Sequence, residues 1–108
     1  MAKRTIPKKV KKEINKFIKV LRKDNLPIDK VFLFGSYAKG KQHKWSDVDV
    51  CVISPKFKNT WAAMRYLWQR RPSDKLCAIE PVGLSPKDFD DEFSTLVKEI
   101  KNHGIRVR

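Results

Sequence analysis

Residues 30–53, KVFLFGSYAKGKQHKWSDVDVCVI, decide how this chain is read. The apolar run KVFLF (30–34) stops at Gly35, as a buried strand with a sharp exit does. Residues 36–46 are polar and contain Gly40, which predicts a turn or short helix followed by a loop. The run DVDVCVI (47–53) predicts a second strand, closed by Pro55. Side chains alternate along a strand, so Asp47 and Asp49 project together while Val48, Val50 and Val52 face a core. Neighbouring carboxylates on an apolar strand repel one another and lose hydration. A hard cation such as Mg2+ relieves both penalties, and phosphate oxygens can complete its shell. Gly35 and Ser36 supply the counterpart: a tight turn whose amides and hydroxyl suit phosphate oxygens, with Lys39 adding charge nearby. Each piece alone has a plainer explanation, a strand start for the aspartates and an ordinary turn for Gly-Ser. Joined as Gly35-Ser36, ten residues, then Asp47-x-Asp49, they form a pattern expected by chance roughly once per thousand chains of this length.

Outward from this stretch, residues 7–24 predict a first helix with Val10, Ile14, Phe17, Ile18 and Leu21 on one apolar stripe. Pro7 suits its first turn and Pro27 prevents continuation. Residues 3–23 carry ten lysines and arginines against one acid, Glu13, so the polar face is strongly basic. Residues 60–71 predict another helix, capped by Asn59 or Thr60, with Trp61, Met64, Leu67 and Trp68 on one face for core or partner packing. Residues 76–84 predict a third strand bent at Pro81. Ser85, Pro86 and Asp88 open a last helix whose stripe is Phe89, Phe93, Leu96, Val97 and Ile100, with Gly104 as its cap. Residues 105–108 form either a short edge strand or a frayed tail. The order α-β-(short α)-β-α-β-α predicts an α+β fold: a small three-stranded mixed sheet backed by about four helices. The first two strands are joined too briefly for a full crossover helix, which favours an antiparallel pair.

The 108 residues suit one domain spanning 1–108, leaving large substrate-recognition modules to other chains. The net charge of +13 favours polyanionic partners: nucleotides, nucleic acid or an acidic protein surface. Cys51 and Cys77 each lie in an apolar run without a CxxC spacing, which predicts free buried thiols in a cytoplasmic protein rather than a zinc site. No segment approaches the length of a membrane span. His43 lies in a polar loop, and His103 at a helix end where a cationic ring suits the dipole.

The segment LFGSYAKGKQHKWSDVDVCVI resembles the signature of the DNA polymerase β-type nucleotidyltransferase superfamily. It is most similar to the minimal nucleotidyltransferases, including the MntA-type antitoxins paired with HEPN-domain toxins. The specific likeness covers residues 32–53, and a looser one runs through residue 100. The resemblance implies a nucleotidyltransferase fold and transfer of a nucleoside monophosphate, AMP from ATP, to a hydroxyl acceptor. It implies that Asp47 and Asp49 hold two Mg2+ ions on the triphosphate while Gly35, Ser36 and Lys39 steady the outer phosphates. Many relatives carry arginine where Lys39 stands; lysine keeps the charge and loses the bidentate fork. The family's third carboxylate falls on Glu80, the acid well inside the third strand, where aspartate is more usual. The acceptor so implied is a tyrosine of a HEPN-type RNase toxin, with this chain as antitoxin. Two other readings remain: a non-catalytic module that masks a partner or grips RNA through the basic first helix, and a transferase acting on a small molecule or an RNA end.

Overall fold

The computed structural model describes residues 6–41, 47–72 and 78–108. The predicted loop around His43, the Leu76–Cys77 start of the third strand, and Lys3 and Arg4 of the basic segment lie outside them. Chain order is α1 (Lys8–Lys23), β1 (Lys30–Phe34), α2 (Ser36–Lys39), β2 (Val48–Ile53), α3 (Thr60–Trp68), β3 (Ile79–Leu84), α4 (Pro86–Phe89), α5 (Thr95–His103) and β4 (Ile105–Arg106).

The strands form one mixed sheet in the order β3-β2-β1-β4. β1 pairs antiparallel with β2, Phe34 opposite Asp49, as their short connection requires. β2 and β3 run parallel, and α3 makes the crossover between them. The sheet has four strands where three were expected: residues after the Gly104 cap turn back along β1, pairing Ile105 with Leu33 and Arg106 with Phe32.

Alternation sends the two sheet faces into separate cores. Val31, Leu33, Val48, Val50, Val52 and Ile79 pack with Ile14, Phe17 and Leu21 of α1 and Ala63 and Leu67 of α3. Phe34, Cys51, Ile53 and Leu84 pack on the other face with Phe89, Val97 and Ile100. Phe17, Leu21, Leu33 and Leu67 have no exposed surface, and a side chain of this kind contributes about 1.5–3 kcal/mol on burial. Cys51 is buried and free, and burial pushes its thiol up to about 12, so it is chemically inert at neutral pH.

Local chemistry sets the helix ends. α1 stops where Asn25 takes a positive φ of 61° and Leu26 donates back to the Leu21 carbonyl at 3.1 Å, placing Leu26 under the helix. Asn59 caps α3 by accepting from the amides of Trp61 and Ala62. Ser85 and Asp88 form a reciprocal capping box at α4.

One expectation fails and another is narrowed, since the tryptophans of α3 were expected in core or partner packing and are not in the core. The single last helix is broken: α4 ends at Asp90, the Asp91 side chain accepts from the Phe93 amide at 2.9 Å, and Ser94 caps a fresh start at α5. Phe93 falls in the break and is 88% exposed, so it leaves the stripe. The buried face of α3 runs through Ala63 and Leu67, which turns Trp61 and Trp68 away from the core; Trp61 is 76% exposed. Trp68 instead donates from its indole to the Pro81 carbonyl of edge strand β3, and Arg71 donates to the Ile79 carbonyl two residues earlier. No described helix is long and apolar enough to cross a membrane.

Candidate functional site

The end of the sheet where β1 stops and β2 and β3 begin gathers the residues singled out by sequence. β1 delivers the chain to Gly35, whose φ of 74° and ψ of −149° belong to a region reserved in practice for glycine. α2 starts at once with Ser36, and its one turn carries Lys39 back toward the sheet. Asp49 faces the α5 side of the sheet with Cys51 and Ile53. Its register partner on β1 is Phe34, the residue before Gly35, and on β3 it is Glu80. Asp47 precedes β2 and is exposed; Asp49 and Glu80 are half-buried. A methyl group built on Gly35 would stand 2.0 Å from Oδ2 of Asp49. The Asp49 carboxylate therefore rests in the space that the missing side chain leaves.

Electrostatics at this end are unfavourable to the protein alone. Burial pushes the Asp49 carboxyl above its ordinary value, and the charges of Asp47 and Glu99 push it further. Burial also raises Glu80; hydrogen bonding to Asp47 and the charges of Asp47 and Asp49 add to the rise, which Arg71 partly offsets. The raised values express crowding of like charge. The three predicted carboxylates thus act on one another, as a cation-binding cluster requires. Among the described residues, no three Asp, Glu, His or Cys side chains close on a common ion position as they stand. The donor chemistry nevertheless fits a hard divalent ion: oxygen-only ligands at adjacent strand ends, with a mutual repulsion that a cation would relieve.

Lys39 does not point freely into this end. Its Nζ meets Oε1 of Glu99, on α5, at 2.6 Å, with both side chains about one-third exposed. Glu99 is thus a fourth acid at the site, and sequence reasoning missed it. The available signal was an acid adjoining the apolar stripe of α5, between Leu96 and Ile100. Arg71, the cation nearest in effect to Glu80, was missed as well; nothing in its sequence context separates it from the neighbouring Arg70. His103, at the last turn of α5, is exposed.

A family model described as a nucleotidyltransferase domain matches residues 14–107. Protein adenylyltransferase MntA of Shewanella oneidensis is 51% identical over 41 residues, 37% of this chain; the match spans 29% of that protein's length. A candidate protein adenylyltransferase of Methanocaldococcus jannaschii is 29% identical over 97 residues, covering 89% of this chain and 93% of the relative. Among solved structures, a toxin–antitoxin crystallised with AMP-PNP superposes with a TM-score of 0.61 at 30% identity, covering 87% of this chain and 71% of that one.

Two consequences can be measured. Gly35→Ala places a methyl group in the Asp49 carboxylate and a side chain at positive φ, so it should lower stability by about 2 kcal/mol or more in denaturant unfolding. Asp49→Asn should do the reverse. The Asp49 pKa is raised in the folded state, so the unfolded chain releases its proton first and native stability falls as pH climbs from the ordinary carboxylate range through the raised value. The Asn variant should therefore melt about 2–5 °C higher than wild type near neutral pH without divalent ions. That advantage should fade as pH falls to about 3, where both states of the wild type are largely protonated. An unchanged difference across the pH series would contradict the crowding.

Proposed function

The chain belongs to the nucleotidyltransferase-domain family, and on that premise we propose that it transfers AMP from ATP to a hydroxyl of a partner protein. We take the acceptor to be a tyrosine of a HEPN-type RNase toxin, silenced by the transfer, with this chain as a cytoplasmic antitoxin and residues 1–108 as its single transferase domain. The observation that carries the reading is the meeting of Asp47, Asp49 and Glu80 at one sheet end beside the Gly35-Ser36 turn. Two facts about relatives favour the finer version: one is named a protein adenylyltransferase, and another is a toxin–antitoxin crystallised with the ATP analogue AMP-PNP.

In this reading Gly35 lets the backbone of the turn approach the outer phosphates closely, and the Ser36 hydroxyl binds one of their oxygens. Lys39 adds a positive charge there after exchanging Glu99 for phosphate. Asp47, Asp49 and Glu80 are the residues that would hold Mg2+, as two ions. When bound, Mg2+ supplies charge neutralisation and polarisation of the phosphoryl oxygens. The acceptor oxygen attacks the α-phosphorus, the bond from that phosphorus to the β-bridging oxygen breaks, and pyrophosphate leaves in line. Glu80, in register with Asp49 on the neighbouring strand, would take the proton from the acceptor hydroxyl.

Incubating the chain with ATP labelled at the α-phosphate, Mg2+ and the coexpressed toxin should move label onto the toxin. An Asp47→Ala/Asp49→Ala double variant should abolish the transfer; undiminished transfer by it, or none by wild type, would sink the proposal. Glu99→Gln should release Lys39 for phosphate and tighten Mg-ATP binding about twofold to fivefold, the range a partly exposed ion pair commands. Lys39→Ala should weaken binding in both backgrounds. Titration calorimetry reads both effects.

A further inference from the structure

The strongest charge concentration lies away from the carboxylates, on the other face of the sheet. α1 carries eight lysines and arginines in sixteen residues, and all eight are exposed. Its one acid, Glu13, is turned inward, 3% exposed, and held by Lys16 at 3.1 Å. Asp24, just past the helix, is taken up by Tyr66 and Arg70. The cationic surface extends beyond the helix: in a shallow groove between the second half of α1 and the end of α3, Lys16, Lys19, Lys23, Arg70 and Arg71 surround Val20 and Pro72. Two elements distant in sequence therefore contribute to one positive strip.

We propose that this strip binds the phosphodiester backbone of a nucleic-acid duplex, without reading its sequence. The helix is about 24 Å long at 1.5 Å per residue, and a duplex presents a negative charge about every 1.7 Å along its axis. Other occupants fit less well. Protein interfaces are built on an apolar or aromatic centre and are poor in lysine; the large apolar side chain that α1 exposes is Val20 alone. A membrane surface takes a helix whose apolar stripe is free to insert, whereas Val10, Ile14, Phe17, Ile18 and Leu21 are spent in the core. Single strands are held by stacking on open aromatic faces; the outward face of α1 has none, and at the end of α3 the rings of Tyr66 and Trp68 are already faced by Arg70 and Arg71. The α1 part of the strip lies on the sheet face opposite Asp49 and Glu80, while Arg71 borders both the groove and Glu80.

The test is fluorescence anisotropy of the full chain with a labelled RNA duplex about 20 base pairs long, and with the DNA duplex of the same sequence, across a salt series. Binding of either duplex is expected, falling steeply with salt; the two arms identify which polymer is preferred. Lys12→Glu/Lys19→Glu/Lys23→Glu should lower affinity about tenfold or more and reduce the salt slope by about 3, while the melting temperature and Mg-ATP affinity hold. The milder Gln triple should lose less in the same direction, which guards against misfolding of the Glu variant. Failure of both duplexes to bind at low salt, or equal binding by wild type and the Glu triple, would overturn the proposal. So would competition by polyglutamate as effective as that by duplex, which would mark an acidic-protein site instead.

Discussion

The contact between the Asp49 carboxylate and the bare α-carbon of Gly35 is the constraint around which this sheet end is organised. One absent side chain does two jobs. It lets β1 end at a positive φ, so that α2 begins immediately, and it leaves room for a carboxylate from the neighbouring strand. Because Asp49 is also in register with Glu80, the same contact fixes where the third carboxylate stands. Ser36 and Lys39 inherit their positions from the turn. A larger residue at 35 would disturb the strand exit, the carboxylate pair and the helix start together.

Stability and chemistry are separated in space. The two cores on the faces of the sheet supply the burial that holds the fold, and neither includes a carboxylate of the site. At the strand ends four acids, Asp47, Asp49, Glu80 and Glu99, are offset among the described residues by Lys39 and Arg71. Such an arrangement costs folding free energy in the free protein and gains it back when positive charge arrives. Proteins commonly carry this kind of local deficit where they bind ligands. The Lys39–Glu99 pair softens it by giving the lysine an internal partner that phosphate can replace.

Much of this was legible in the sequence for physical reasons. The period-2 alternation of DVDVCVI fixed which residues face the core, and the short connection selected an antiparallel pair, so the Gly35-Ser36 turn and the aspartates had to meet. Glu80 could be placed because it is the acid well inside the third predicted strand, where the family resemblance implies a carboxylate. What escaped depended on partners remote in the chain or on competition between weak local signals. Glu99 becomes a site residue only when α5 packs across β1, sixty positions from Lys39 in sequence. The last helix looked continuous because its apolar spacing carries through Phe93, yet the hydrogen bonds of Asp91 and Ser94 to nearby amides outweighed that pattern. For Trp61 and Trp68, a face shared with Met64 and Leu67 suggested core or partner packing; the smaller Ala63 and Leu67 allow α3 to lie closer to the sheet, against Gly83, where a methyl group would stand 2.8 Å from the Ala63 side chain.

The side chains that cover β3 also settle how the molecule can associate. Ile79 and Pro81 share the outward side of this edge strand; their carbonyls are occupied by Arg71 and Trp68, and Pro81 has no amide hydrogen to offer. At the opposite edge β4 is two residues long. Neither border is a good template for an incoming strand. Recognition by sheet extension, the cheapest route to both specific peptide capture and unwanted self-assembly, is therefore closed at both ends. A protein partner is therefore met through side chains rather than through an added strand.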